Sequence, residues 1–182
     1  ARWIEYRHDA PAVRTWDYSY TKRLSLSGDT LLVQHSFTNT GTSAISTQVY
    51  SHNFIIIDNQ NIGSGYSATL GFTPIVQSGA SNMNYTSISG NVISVTRSLT
   101  GGTAIWAILT GYGSTASSNT ATVSNSTAGA SVTFIGDQPL VKYQIYGKQL
   151  TLSPEPFVDL TVPVGGSKEW TNRLVFRAGM ME

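Results

Sequence analysis

Apolar and polar residues alternate with a period of two along most of this chain. No window longer than about ten residues carries the 3.6-residue apolar stripe of an amphipathic helix. Large aromatics alternate with polar residues over 15–26, Gly28-Asp29 supplies a turn, and 30–38 returns as a partner, so 15–38 is predicted to be a hairpin. After the turn at 39–42, the stretch 44–57 alternates at first and then becomes continuously apolar, the pattern of one long strand entering a buried sheet centre. Further strands are predicted at 66–73, 91–97, 103–110, 119–124, 130–136, 140–147, 156–163 and 168–177, with glycine-rich turn signals between them. About eleven strands at this spacing predict an all-β, antiparallel sandwich or barrel. Residues 113–127, rich in Ser, Thr and Asn, read as the segment closest to a mobile loop, and 1–14 as an N-terminal extension ahead of one domain at 15–182.

Composition narrows the function classes. The chain has 182 residues and no cysteine, which excludes disulfide scaffolds and thiolate metal sites. Eleven Lys and Arg against ten Asp and Glu leave a net charge of +1, too little for the basic face of a nucleic-acid binder. Only 12% of residues are charged, about half the usual share, so the surface is hydroxyl-rich. Such a surface suits an exported bacterial protein and equally the walls of a neutral sugar site. No run approaches the ~18 consecutive apolar residues of a membrane-spanning helix, so no membrane partner is expected. The first residue is Ala, which reads as processing, trimming or a fragment.

Most catalytic motifs are missing. Gly63-Ser64-Gly65 lacks the Lys-Ser or Lys-Thr of a phosphate loop and the flanking pattern of a nucleophile elbow. His8, His35 and His52 lack metal-ligand spacing with acidic neighbours, so neither a metal nor a cofactor is expected. Two places stand out. In Tyr50-Ser51-His52-Asn53-Phe54, polar side chains interrupt a run suited to burial and need partners or a purpose. In Ser153-Pro154-Glu155-Pro156-Phe157, a carboxylate is held between two prolines that fix the backbone, as a positioned general base requires. The bland alternatives are a satisfied core histidine and a solvated glutamate on an edge. Asp137, in Gly136-Asp137-Gln138-Pro139, either accepts hydrogen bonds from ligand hydroxyls or closes a turn, and the turn is the better reading. His35 lies in a plainly alternating strand and reads as structural.

These segments, in this order, resemble the galactose mutarotase-like proteins of the aldose 1-epimerase superfamily. The resemblance runs over about 16–177. It is carried by Leu31-x-Val33-x-His35 leading to Asn39-Thr40-Gly41, by Tyr50-x-His52-Asn53-Phe54 with Asp58 and Ile62-Gly63, and by Gly136-Asp137-Gln138-Pro139. Pro154-Glu155-Pro156-Phe157, the turn at 163–166 and Trp170 complete it. It implies a β-supersandwich in which His52 acts as general acid on a sugar ring oxygen and Glu155 as general base on the anomeric hydroxyl. It also implies strands upstream of residue 15 that this chain lacks. Asn53, Asp137, Tyr143 and Tyr146 are the expected hydroxyl-binding residues, and Trp16 or Trp170 the expected stacking surface. The expected partner is a neutral sugar or glycan, with oligomeric state left open. Two other classes remain: a non-catalytic glycan-binding module, and a structural or adhesive β-domain in which His52 and Glu155 are incidental. The distance between those two side chains separates the catalytic reading from the last.

Overall fold

The computed structural model describes residues 2–13 and 15–179, without the side chains of residues 12 and 13. Its strands, in chain order, are β1 (Trp3–Val13), β2 (Trp16–Ser27), β3 (Thr30–Asn39), β4 (Ile45–Tyr50), β5 (Tyr66–Leu70), β6 (Ile75–Val76) and β7 (Thr86–Ser89). There follow β8 (Val92–Val95), β9 (Ile105–Thr110), β10 (Thr120–Asn125), β11 (Ala130–Gly136), β12 (Lys142–Lys148), β13 (Thr151–Val162) and β14 (Ser167–Arg177). They form two antiparallel sheets, one of nine strands in the order β1-β2-β3-β14-β11-β10-β5-β8-β7 and one of five in the order β4-β13-β12-β9-β6. The all-β reading holds, and the architecture is a sandwich.

Three sequence expectations need correction. The extension at 1–14 contains β1, which pairs with β2 along most of its length. Its charges and Pro11 hid it, yet both are tolerated on an edge strand, whose outer side owes the sheet no hydrogen bonds. The long strand expected at 44–57 stops at Tyr50, and the strand expected at 156–163 starts earlier, at Thr151. The strand expected at 119–124 is present as β10, inside the 113–127 stretch that read as closest to a mobile loop. There Ala121, Val123 and Asn125 point into the interior and are almost fully buried.

The period-two pattern fills the space between the sheets. One cluster packs Ile62, Leu70, Ile93 and Leu99 against Ile105, Leu109, Tyr143 and Ile145; a second joins Phe37 and Trp170 to Leu160 and Val162. Tyr66 locks the loop after β4 into the first cluster. Its hydroxyl accepts from the Ile57 N–H at 2.9 Å and lies 2.9 and 3.0 Å from the Ile57 and Gln60 carbonyl oxygens. That clamp carries the left-handed turn at Asp58 and Asn59, and it anchors the far end of the segment holding His52.

Candidate active site

β4 and β13 pair antiparallel, from Ile45 opposite Val162 to Tyr50 opposite Phe157. Ile55 rejoins the ladder opposite Leu152, exchanging hydrogen bonds of 3.3 and 2.9 Å. The register is therefore unchanged across the gap, and His52 stands opposite Glu155, Asn53 opposite Pro154 and Phe54 opposite Ser153.

The gap has a chemical cause. Ser51 N donates to Pro156 O at 3.3 Å, so the even-numbered residues of this part of β13 direct their backbone groups toward β4. Two of those residues, Pro154 and Pro156, have no N–H to give. The facing segment loses its regular partners at 51–54, and the Asn53 side chain compensates by donating Nδ2 to the Pro154 carbonyl at 3.0 Å. Ser153, Glu155 and Phe157 present their N–H groups to β12 on the other side, which is why β13 continues through both prolines.

Alternation then lays out the outward face of the five-stranded sheet in rows. The central row runs His52, Glu155, Gln144, Ile108; one flanking row is Tyr50, Phe157, Lys142, Thr110, and the other Phe54, Ser153, Tyr146, Trp106. Tyr50 stacks on Phe157 with centroids 4.5 Å apart, His52 lies 3.8 Å from Phe54, and the Lys142 ammonium sits 4.7 Å over the Phe157 ring. The result is an aromatic platform with His52 and Glu155 at its centre.

Nε2 of His52 lies 2.8 Å from Oε1 of Glu155. The two atoms are within contact distance, but no donor is aligned for a hydrogen bond to Oε1. The two partners are exposed unequally: the His52 side chain is 44% exposed and the Glu155 side chain 5%. Burial pushes the Glu155 carboxyl above the ordinary carboxylate range, and it outweighs the opposing pull of His52, Ser153 and Lys142. A carboxylate made more basic in this way, touching an accessible imidazole, is equipped to move protons.

Of the other sequence candidates, Tyr146 and Asn53 belong to this locality: Tyr146 on the platform, Asn53 behind it. Tyr143 has the opposite parity on β12 and lies in the core, 1% exposed, its ring edge-on to Phe72. Burial, with the Glu155 charge as the lesser cause, pushes its phenol far above the usual tyrosine range, so it stays neutral. Asp137 is tethered to β14, its N–H donating to Thr171 O at 3.2 Å and its Oδ2 accepting from Thr171 N at 2.8 Å. Trp16 and Trp170 belong to the nine-stranded sheet, Trp16 exposed at the start of β2 and Trp170 buried against His35. Sequence reasoning missed Gln144, Phe157, Trp106, Tyr50 and Phe54 as members of the face. Strand parity across β12 and β9 would have found Gln144 and Trp106 once the register to Glu155 was known.

No protein-family model matches the sequence, and no curated protein matches it. Solved structures do. A galactose mutarotase related enzyme from Lactobacillus acidophilus superposes on 99% of this chain and 69% of its own, with a TM-score of 0.69 at 12% identity. A galactose mutarotase-like protein from Lactobacillus casei gives 0.68 at 14% identity, over 96% of this chain and 70% of that one. The fold is galactose mutarotase-like. A GalM/aldose epimerase homologue from C. elegans has it too, at a TM-score of 0.62 and 10% identity over 97% of this chain and 66% of its own. Within this galactose mutarotase-like sandwich, the platform, with His52 and Glu155 at its centre, lies on the outward face of the smaller sheet.

Proposed function

We propose that this chain interconverts the anomers of a neutral aldose, as an aldose 1-epimerase-like isomerase, with Glu155 as general base and His52 as general acid. The observation that carries the reading is the 2.8 Å contact between the two groups on an open aromatic face. The anomeric carbon bears both oxygens that must exchange protons, the ring oxygen and the anomeric hydroxyl, so adjacent acid and base groups match adjacent sites on the sugar.

Glu155 takes the proton of the anomeric hydroxyl as protonated His52 gives one to the ring oxygen. The bond between the anomeric carbon and the ring oxygen breaks and the carbonyl forms. Rotation about the next carbon–carbon bond turns the other face of the aldehyde to the same hydroxyl. Closure returns that hydroxyl's proton to His52 and the Glu155 proton to the new anomeric oxygen, leaving both groups as they began. Trp106, Tyr146 and Phe54 provide the apolar surface for a ring face, and Gln144, beside Glu155, offers an amide to sugar hydroxyls. A second reading, a glycan-binding face without turnover, draws on the openness of this surface.

Polarimetry on freshly dissolved α-glucose and α-galactose tests the proposal. The parent accelerates mutarotation over buffer, and Glu155→Gln and His52→Ala each lose about 10²–10⁴-fold, the usual worth of a positioned acid or base. Variants as fast as the parent would refute the assignment. A parent no faster than buffer that still binds sugar leaves the binding module.

A further inference from the structure

The interior side of the nine-stranded sheet carries an aromatic wall on β2, β3 and β14. Tyr18 stacks on Phe37 with centroids 4.9 Å apart, and His35 stacks on Trp170 at 4.6 Å. Tyr20 lies with its plane 22° from both His35 and Trp170. Across from this wall stand Val49 of β4 and Val158 and Leu160 of β13, in the narrower, five-stranded sheet. The space between them is a cavity of about 670 Å³, the size of a small-molecule site, and it lies apart from the outward face that carries Glu155.

A chain of hydrogen bonds joins the two walls. Asn172 Nδ2 donates to Ser51 Oγ at 3.0 Å and lies 3.3 Å from His35 Nε2, while His35 Nδ1 lies 2.7 Å from the Tyr20 hydroxyl. An amide nitrogen only donates, so His35 Nε2 accepts and its proton sits on Nδ1, where it is given to the Tyr20 oxygen. Burial raises the Tyr20 phenol above the usual tyrosine range, so it keeps its own proton. The Tyr20 and Ser51 oxygens each receive a hydrogen bond, which leaves both hydroxyl hydrogens free to donate. Lys22 stands opposite His35 in the β2–β3 ladder, on the same face as Tyr20, and borders the cavity. It makes no ion pair among the described residues. No Asp or Glu among those residues borders the cavity to neutralise it.

We propose that this cavity binds a small monocarboxylate with an apolar body, its acid group held by Lys22, Tyr20 and Ser51 and its body packed between Trp170 and Phe37 on one side and Val158 and Leu160 on the other. A carboxylate accepts from all three donors, and its charge matches the one unpaired ammonium. A dianion such as a phosphate monoester would bury a second charge without a counter-ion. A sugar would set hydroxyls against Phe37, Phe134, Val158 and Leu160, where they find no partners, so this ligand differs in kind from the aldose of the outward face. The flat aromatic wall and the aliphatic wall facing it suit either an extended alkyl chain or an aryl ring. Ser51 adjoins His52, so the acid end of the ligand sits on the interior side of the segment whose outward side carries the imidazole.

Calorimetric titration of the 182-residue chain with decanoate and with naphthoate, each against its matching alcohol, tests the proposal. At least one acid is expected to bind at a single site, about ten-fold or more tighter than its alcohol, the worth of hydrogen bonds to a charged group. Its NMR shift changes should concentrate on the His35 ring and the Val158 and Leu160 methyls. Lys22→Met should weaken the acid about ten-fold and leave the alcohol unchanged, whereas Val158→Phe, which fills the cavity, should weaken both. Thermal melts check that each variant folds, and Lys22→Met, at a partly exposed position, keeps the test decisive if Val158→Phe does not. The proposal is overturned if neither acid saturates, if the alcohols bind as tightly, or if Lys22→Met keeps the parent's affinity for the acid. Shifts confined to Phe54, Tyr146 and Trp106 would place the acid on the outward platform and overturn it too. Sugar turnover enters none of these measurements, so their outcome is independent of the catalytic reading.

Discussion

His35 offers the clearest quantitative test of the packing. Its ring stacks on Trp170 with centroids 4.6 Å apart and planes 4° from parallel, Nδ1 lies 2.7 Å from the Tyr20 hydroxyl, and Nε2 lies 3.3 Å from the Asn172 amide nitrogen. An amide nitrogen only donates, so Nε2 accepts and the neutral ring carries its proton on Nδ1. Burial, and then repulsion from Lys22, push the His35 pKa from 6.5 down to about 4, with Asp137 pulling weakly the other way. The folded value lies below the unfolded one, so the unfolded chain binds a proton between the two that the folded chain refuses. Stability from this group is complete above about pH 6.5, drains as pH falls, and is gone below about pH 4. The drop corresponds to about 3 kcal/mol, an upper figure because solvent reaches the cavity. Urea unfolding at about pH 7.5 and about pH 4.5 of the parent and of His35→Gln measures it, since other carboxylates titrate alike in both proteins. Between those conditions the parent should lose about 2–3 kcal/mol more than the variant. A stability difference that does not change with pH would show that His35 is not held neutral by this packing.

Three further outcomes follow from named contacts. Glu155→Gln should raise Tm by a few degrees near neutral pH, about 1 kcal/mol. A buried carboxyl with a raised pKa costs the folded state increasingly as pH climbs past its ordinary value, so scanning calorimetry showing a lower Tm at neutral pH would contradict the burial argument. Tyr66→Phe should cost about 1–3 kcal/mol in urea unfolding, because the Ile57 N–H is left buried without its acceptor. Gly136→Ala should cost a similar ~1–3 kcal/mol, since a Cβ there would come within 2.7 Å of Asn119 Cγ while Asn119 Nδ2 is tied to the Gln138 carbonyl at 2.8 Å. A melt matching the parent's would show that the Asn119 side chain moves aside freely.

Legibility from sequence differed between levels. The period-two pattern located nearly every strand with a buried face, because alternation reports which side of a strand meets the core. It failed for β1, which sits at a sheet edge with both faces largely exposed and so has no reason to alternate. His52 was visible as a polar group where burial was expected, and Glu155 as a carboxylate held between two prolines. Their neighbours were not, for Gln144, Phe157 and Trp106 look like ordinary strand residues until the register of β12 and β9 against β13 is known. Tyr143 was selected on residue type, and strand parity put it in the core.

The two prolines tie the fold to the site. Had β13 carried N–H donors at 154 and 156, β4 could have continued as a regular strand through Ser51–Phe54, with His52 fixed in a flat ladder. Removing two donors on one side of β13 frees that stretch of backbone while Ile55 and the Tyr66 clamp keep its register. The imidazole can then lean within 2.8 Å of a carboxylate that is itself held by an unbroken ladder to β12. Pro154→Ala and Pro156→Ala together should therefore extend the β4–β13 ladder without loss of stability. Hydrogen exchange at 154 and 156 would report the new bonds as slowed amides. If those amides instead exchange at the unprotected rate, the interruption is imposed by the 51–54 side chains and the prolines only accommodate it.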